Sequence, residues 1–349
     1  LTFLCAVLKA VDQYGDLLRL SASCPGNEDR LGGNEAPPAI ISVFLGNALT
    51  DMLSDLAHGQ TLCRSTKEEL LSDVKSLPQL RRDDSDRNRT SPFAFTGNKF
   101  EFRMVGSSQS IGLANTITNA IVADVLREFA DRLEKAEDMR AAVMEIISDT
   151  WKNHGRIIFN GNNYSDEWRV EAERRGLPNI RGMVDAADSY IAPRNVAMFE
   201  RMGVFSASEC HSRYEITLET YAKNIHIDAS TMLEMVSRSI LPASYEYLSR
   251  VGKSEYYAEK NGFACASAKA AVQKLCVSID VAAGATEALR RELERIDRTV
   301  MSDKQRAEAC RRLAENEMRA VREAADSLEM QIPQTYWPIP DYSTLLFDL

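Results

Sequence analysis

Residues 86–110 read DRNRTSPFAFTGNKFEFRMVGSSQS, and the part from Lys99 to Val105 alternates between charged and apolar side chains. The apolar residues of this part fall on one side, and Lys99, Glu101 and Arg103 fall on the other. A period of two predicts a β-strand with one apolar face and one charged face. The preceding Thr-Gly-Asn predicts a turn that leads into this strand.

The charged face of the predicted strand places one carboxylate, Glu101, between two cations. Successive residues on one face of a strand lie about 6.5–7 Å apart. Such a row can hold a divalent metal at its centre and anionic oxygens on either side. A solvated strand face with ion pairs to its neighbours has the same pattern. The pattern alone therefore leaves a binding site and an ordinary polar face as two alternatives.

The chain has 349 residues, a hydrophobic content of 44% and a formal net charge of −9. This length is sufficient for a buried core and indicates two domains. The negative charge argues against a nucleic-acid-binding protein, which would carry a basic surface. A local cluster of arginines would still be able to bind an anionic substrate.

The chain has 7 cysteines, which is an odd number, and none of them forms a Cys-x-x-Cys pair. This pattern indicates reduced thiols in a cytosol-like compartment. Cys5, Cys265, Cys276 and Cys310 fall on helical, partly apolar faces, so we expect them to pack in the core. The apolar opening of the chain, residues 1–8, is too short to span a membrane.

Hydrophobic periodicity predicts an α+β fold with few antiparallel strands, which becomes almost entirely helical in the second half of the chain. The run Ala39–Leu45 is rich in β-branched and aromatic residues and predicts a buried strand. Helices are predicted over approximately residues 1–20, 49–56, 66–77, 117–129, 137–151, 166–174, 183–190, 209–225, 230–251 and 264–296.

Two apolar stripes near the end of the chain predict a long helical hairpin. The first stripe runs along residues 264–296, and the second includes Met318, Val321 and Leu328. Because only a short break separates them, the two helices should pack antiparallel. Two separate surface helices on a larger body are the alternative. The aromatic tail after Pro333 should dock on a neighbouring surface.

Four motifs in order resemble the glutamine synthetase family. Asn88-Arg-Thr90 followed by Lys99-Phe-Glu-Phe-Arg103 resembles a catalytic core in which Asn-Arg-Ser precedes a strand Arg-x-Glu-x-Arg. Asn34-Glu-Ala-Pro-Pro-Ala-Ile40 resembles the loop whose Glu-Ala-Pro covers the active site. Two further segments, Arg175-Gly-Leu-Pro-Asn179 and the ending Tyr336-Trp-Pro-Ile-Pro-Asp-Tyr-Ser343, extend the similarity. Together the four motifs resemble those of the type III glutamine synthetases.

The resemblance implies a cytoplasmic ligase that joins ammonia to the side-chain carboxylate of glutamate. ATP and Mg²⁺ or Mn²⁺ are the implied cofactors, γ-glutamyl phosphate is the implied intermediate, and a large ring-shaped homo-oligomer is the implied assembly. Phosphorylation of a carboxylate passes through a transition state rich in negative charge, which arginines and divalent metals stabilise. Ammonium must then lose a proton, which requires a nearby carboxylate.

The resemblance also implies roles on and just before the charged strand. Glu101 matches the glutamate that binds the metal bridging the ATP phosphates, and Arg103 matches the arginine that holds the substrate carboxylate. Arg89 matches the arginine that contacts the transferring phosphoryl group. Lys99 stands where the family has a basic residue near the nucleotide. A second arginine that follows Asn-Arg in better-known members is replaced here within residues 93–95, so that phosphate contact must come from elsewhere or be missing.

Two earlier residues complete the implied site. Glu35 matches the loop glutamate that shields the intermediate and takes the proton from ammonium. Arg30 matches the arginine that grips the α-carboxylate of glutamate, although better-known members have one more residue between the two positions. A structural charge is the alternative for Glu35, and an ion pair within a loop is the alternative for Arg89.

We expect residues 1–220 to be the later part of a catalytic domain and residues 221–349 to be a helical accessory domain that serves assembly. The family's other metal ligands lie on strands that would precede Leu1, so the chain is expected to be a fragment that is inactive by itself. A non-catalytic helical scaffold or a regulatory paralogue of the family is the alternative. Four histidines match no ligand and are expected at the surface or in packing contacts: His58, His154, His211 and His226.

Overall fold

The computed structural model describes residues 1–32, 36–59, 90–340 and 342–347, and the backbone of residues 69–70 and 80–81. These residues are mostly helical with a few short strands, which agrees with the expected α+β class. The chain divides into two units, residues 1–217 and 218–349. The assignment of a catalytic and an accessory domain concerns their roles and stays a prediction.

Helices form most of the first unit. Their bounds are α1 (Thr2–Gln13), α2 (Gly15–Ser21), α3 (Pro25–Arg30), α4 (Asn47–Ala57), α5 (Gly112–Glu134), α6 (Met139–His154), α7 (Asp166–Arg174), α8 (Met183–Ala187) and α9 (Pro193–Arg201). Helix α1 is buried along most of its length and packs against α5 and α6, so these three helices form the centre of the core. The side chain of Ser165 accepts a hydrogen bond from the backbone N–H of Trp168 at 3.3 Å, so the predicted cap of α7 is confirmed.

The strands of the first unit are short: β1 (Val43–Phe44), β2 (Glu69–Leu70), β3 (Leu80–Arg81), β4 (Phe93–Phe95) and β5 (Phe100–Phe102). Strand β4 is the middle strand of a sheet, with β1 parallel on one side and β5 antiparallel on the other, so the expectation of antiparallel strands is wrong for β1. Strands β2 and β3 form a separate antiparallel pair. The charged row predicted from the sequence therefore lies at the edge of a small sheet.

Four predicted elements of this unit differ from the structure. The strand predicted over residues 99–105 shortens to the three residues of β5. The helix predicted over residues 1–20 is two helices, because the backbone leaves the helical conformation at Tyr14, where φ is −122°. The strand predicted over residues 39–45 shortens to β1, since the chain before it only touches Asn179 through an isolated bridge at Ile40. The prediction of a helix over residues 66–77 is wrong for residues 69–70, because they form the extended strand β2. The other residues of this predicted helix lie outside the described ranges.

A long helix, α10 (Ala207–Met235), begins in the first unit and ends in the second. A π-helical turn at Val236–Ile240 joins it to α11 (Leu241–Lys260) without a break. The predicted loop between residues 225 and 230 is therefore wrong, because the buried stripe of α10 continues across it. The π turn precedes Pro242, which has no N–H to donate to the carbonyl one turn earlier.

The second unit ends in a helical hairpin. Helix α12 (Ala266–Arg298) turns back into α13 (Asp303–Leu313), which continues through a π turn at Ala314–Met318 into α14 (Arg319–Glu329). Helix α12 packs against both α11 and α14. The buried stripe of α12 has the predicted members Leu275, Ile279, Ala282, Thr286, Leu289, Leu293 and Ile296. A last short helix, α15, spans Tyr342–Phe347.

The aromatic tail and the cysteines test two further expectations. Tyr336 packs on Tyr247 of α11 with ring centroids 5.4 Å apart, so this part of the tail docks on its neighbour. Cys5 and Cys310 are buried as predicted, whereas Cys265 and Cys276 are exposed, so the core assignment was wrong for these two. None of the helices within the described ranges is long and apolar enough to cross a membrane.

The buried stripe of α12 provides a test of the packing in the second unit. Leu289 is fully buried, so Leu289→Ala should lower the free energy of unfolding by about 2–5 kcal/mol through lost contacts and a residual cavity. Val281 lies on the exposed face of the same helix, and Val281→Ala should change stability by less than about 0.5 kcal/mol. Calorimetric melting of the two variants checks this, and equal losses would contradict the assigned faces.

Candidate functional site

Ion pairs join the three charged residues on and next to β5, which are Lys99, Glu101 and Arg103. Arg103 donates to Glu101 through Nη2 at 2.9 Å and through Nε at 3.1 Å, both to Oε2. Lys99 Nζ lies 3.3 Å from Oε1 of the same carboxylate. The structure thus brings the three residues together as predicted. The side chain of Glu101 remains 35% exposed, so its carboxylate is accessible from solvent.

These pairs keep Glu101 ionised. The Arg103 guanidinium, followed by the Lys99 ammonium, lowers the pKa of the Glu101 carboxyl below its usual range. The carboxylate is therefore charged at neutral pH, which is the state in which it binds a hard cation. Both cations would also attract an anionic group that approaches the row.

A tight hairpin fixes the position of the row. Gly97 adopts a φ of +97°, which favours glycine, and the Thr96 N–H donates to the Lys99 carbonyl at 2.9 Å. The predicted turn is therefore confirmed. Ala94 lies directly opposite Glu101 in the neighbouring strand, so the two side chains share one face of the sheet.

Arg30 lies at the end of the same strand. Its Nη2 donates to the carbonyl of Met104 at 2.7 Å, and its Nε donates to Oδ1 of Asn27 at 2.7 Å. The structure thus brings this predicted residue next to the residue that follows Arg103. Two of its donor nitrogens are engaged within the protein, so its role in binding the α-carboxylate of glutamate stays a prediction.

Two supporting residues had not been singled out from the sequence. Asn27 donates through Nδ2 to the carbonyls of Ala22 and Met104, at 2.6 and 3.0 Å. Gln109 donates to the carbonyls of Ser21 and Ser23, at 3.1 and 3.3 Å. The only available signal was their position next to the motifs, since three of their four carbonyl partners lie 77–88 residues away in the sequence.

Glu35 and Arg89 lie outside the described residues. The described residues on either side of residues 33–35 contact each other, because the Gly32 N–H donates to the Pro37 carbonyl at 3.0 Å. Gly32 adopts a φ of +82°, and Ala36 is buried. These flanking residues are therefore held in place by described contacts.

Within the ranges that the structure describes, no group of three or more His, Cys, Asp and Glu side chains lies close enough to hold a metal ion. His154 and His226 pair with Asp12 and Asp297. Glu101 thus offers one carboxylate, which cannot complete the oxygen shell of Mg²⁺ or Mn²⁺ by itself.

Comparison with known proteins first defines the class. Residues 142–258 match the family model described as the glutamine synthetase C-terminal domain. The chain is 34% identical over 354 residues to the type-3 glutamine synthetase of Dictyostelium discoideum. The aligned region covers 99% of this chain and 48% of that protein.

Two bacterial relatives give the same result. The glutamine synthetase of Butyrivibrio fibrisolvens is 36% identical over 367 residues, with 100% of this chain and 50% of that protein covered. The glutamine synthetase of Bacteroides fragilis (strain YCH46) is 34% identical over 362 residues, with 99% and 49% covered. The chain thus spans about half the length of the curated relatives it matches. Its resemblance to the type III glutamine synthetases is confirmed along nearly its whole length.

The contacts of Asn27 provide a test of the scaffold behind β5. Asn27→Asp keeps the acceptor for Arg30 but turns a carboxylate oxygen toward the carbonyls of Ala22 and Met104. We expect it to lower the free energy of unfolding by about 2–3 kcal/mol, because Asn27 is buried, the Ala22 carbonyl loses this donor and the Met104 carbonyl keeps only the donor from Arg30. Urea denaturation measures this. A variant as stable as the wild type would contradict the proposed support.

Proposed function

We propose that this chain forms part of a glutamine synthetase, which amidates glutamate with ammonia at the expense of ATP through γ-glutamyl phosphate. The observation that supports this most directly is the ionised Glu101 carboxylate held between Lys99 and Arg103 on an edge strand. The same residues match the family pattern, and three relatives share sequence with nearly the whole chain.

Arg103 and Lys99 would act on anionic groups in this proposal. The side chain of Arg103 is 17% exposed, so water screens its charge weakly. A guanidinium in this position can bind a carboxylate or phosphoryl oxygen through parallel N–H donors. We propose that Arg103 holds the reacting carboxylate of glutamate, that Lys99 lies near the ATP phosphates, and that Arg89 contacts the transferring phosphoryl group.

Glu35 would supply the base. A carboxylate on a loop over the site can exclude water from the acyl phosphate and accept a proton from ammonium. The hydrogen bond from the Gly32 N–H to the Pro37 carbonyl supports a fixed point of attachment for such a loop. Arg30, at the end of β5, would bind the α-carboxylate of the same substrate.

The metal requires ligands beyond those described. Bound Mg²⁺ or Mn²⁺ would supply charge neutralisation at the ATP phosphates, and Glu101 would provide one of its oxygen ligands. We propose that the other ligands belong to the part of the relatives' length that this chain does not match. On this proposal, the 349-residue chain alone forms no glutamine.

Assembly and location complete the proposal. We propose that the complete protein is a cytoplasmic homo-oligomer and that helices of the second unit contribute to its interfaces. Exposed apolar side chains on these helices support the second point, and they include Ile227, Tyr257 and Val277.

The scaffold alternative also has a specific observation in its favour. Glu101 already satisfies its charge within its own strand, as an ordinary polar strand face would. A catalytic role and a structural role for this carboxylate therefore predict different consequences of removing its charge.

A matched pair of substitutions distinguishes the two functions. Glu171 on α7 is also a carboxylate bound by two arginines, with N–O distances of 2.7 and 2.6 Å to Arg174 and Arg175. Its exposed fraction of 29% is close to the 35% of Glu101. In a polypeptide that joins this chain to the remaining part of the relatives' length, Glu101→Gln should reduce glutamine formation by at least about 100-fold.

Glu171→Gln should leave the rate of glutamine formation unchanged in the same polypeptide. Light scattering should show the same particle mass for both variants, since neither substitution lies in the helices proposed for assembly. If Glu101→Gln forms glutamine as fast as Glu171→Gln does, Glu101 has a structural role and the scaffold alternative is favoured.

A further inference from the structure

The second unit contains a cavity of about 410 Å³ that has no part in the proposed reaction. It lies between α10 and α14, and the tail residues Trp337 and Ile339 form a third wall. All of its lining residues belong to the second unit. Its volume is within the range of cavities that bind small organic molecules, about 300–1,000 Å³.

Both π-helical turns of the described chain adjoin this cavity. Val236 and Ile240, at the two ends of the first turn, line it, and so does Met318, the last residue of the second. A π turn interrupts the regular α-helical hydrogen-bond pattern, and such turns occur frequently at functional sites. Two such turns on facing helices therefore shape the same space.

The walls suit an apolar group of variable shape. Met232, Met235 and Met318 line the cavity with unbranched, polarisable side chains that adapt to different ligands. Trp337 adds an aromatic surface, which packs well against a second ring. The apolar part of a ligand would thus contact sulfur and aromatic atoms.

The charges at the cavity are predominantly negative. Asp228, Asp326 and Glu329 line it together with a single described cation, Arg322. Arg322 pairs with Asp326, with Nε 2.7 Å from Oδ1. Asp228 and Glu329 form no ion pair with any residue that the structure describes. The carboxylates and the face of Trp337 would both attract a cation and repel an anion.

We propose that this cavity binds a small amphipathic organic cation, such as an arylalkyl ammonium, with its ring among the methionines and Trp337. Its ammonium group would lie near Asp228 and Glu329. This inference does not depend on the proposed ligase activity, because the cavity shares no residue with the candidate site.

Three probes of one shape separate the contributions of charge and of apolar burial. Isothermal titration of the 349-residue chain with 4-phenylbutylammonium, 4-phenylbutanol and 4-phenylbutanoate should give one site, with the tightest binding for the ammonium and the weakest for the anion. Asp228→Asn combined with Glu329→Gln should weaken ammonium binding by about fivefold and leave the alcohol unchanged. Glu323→Gln, on the same helix as Glu329 but at an exposed position outside the cavity, is the control and should change nothing.

A second variant tests the location. Ala325 lines the cavity, and Ala325→Trp should fill it and abolish binding of all three probes while circular dichroism shows an unchanged helix content. The proposal is overturned if no probe binds the wild type, if the anion binds tightest, or if Ala325→Trp binds as the wild type does. It is also overturned if light scattering shows a dimer that Ala325→Trp dissociates, since a second copy would then occupy this surface.

Discussion

The carbonyl of Met104 is the point on which the arrangement of the candidate site depends. Asn27 and Arg30, from the segment around α3, both donate to it, at 3.0 and 2.7 Å. Asn27 is almost fully buried, so these bonds replace water and fix the end of β5 against a separate part of the chain. The orientation of Glu101 follows from this, because a strand held at its end cannot rotate its charged face into the core.

The same arrangement explains how much of the site could be predicted. Alternation over residues 99–105 is a local signal, and it correctly placed Glu101 between Lys99 and Arg103. The supporting role of Asn27 depends on a partner 77 residues away, and no local pattern contains that information. Family resemblance added Glu35 and Arg89, but the pattern alone would have left both as ordinary loop charges.

The fold shows a similar division between local and long-range determinants. The buried stripe of α12 was predictable because every third or fourth residue of a helix faces the same neighbour. The residues at this spacing between Leu275 and Ile296 are buried accordingly. The loop expected after Ile225 does not exist, since His226 and Asp228 are compatible with an exposed helical turn when Ile225 before it and Ala229 after it are buried. The cavity was not predictable, because it requires the tail to approach two π turns that are distant in sequence.

The central claim is that Glu101 is a metal ligand on a strand whose cations bind anionic oxygens. A high-resolution structure of the complete polypeptide with Mn²⁺ and a non-hydrolysable ATP analogue tests it most directly. If Glu101 is a metal ligand, one of its carboxylate oxygens will lie about 2.0–2.3 Å from the metal, with Lys99 or Arg103 beside the phosphate or substrate oxygens. A carboxylate that still pairs only with Lys99 and Arg103, while the metal and nucleotide bind elsewhere, would contradict it.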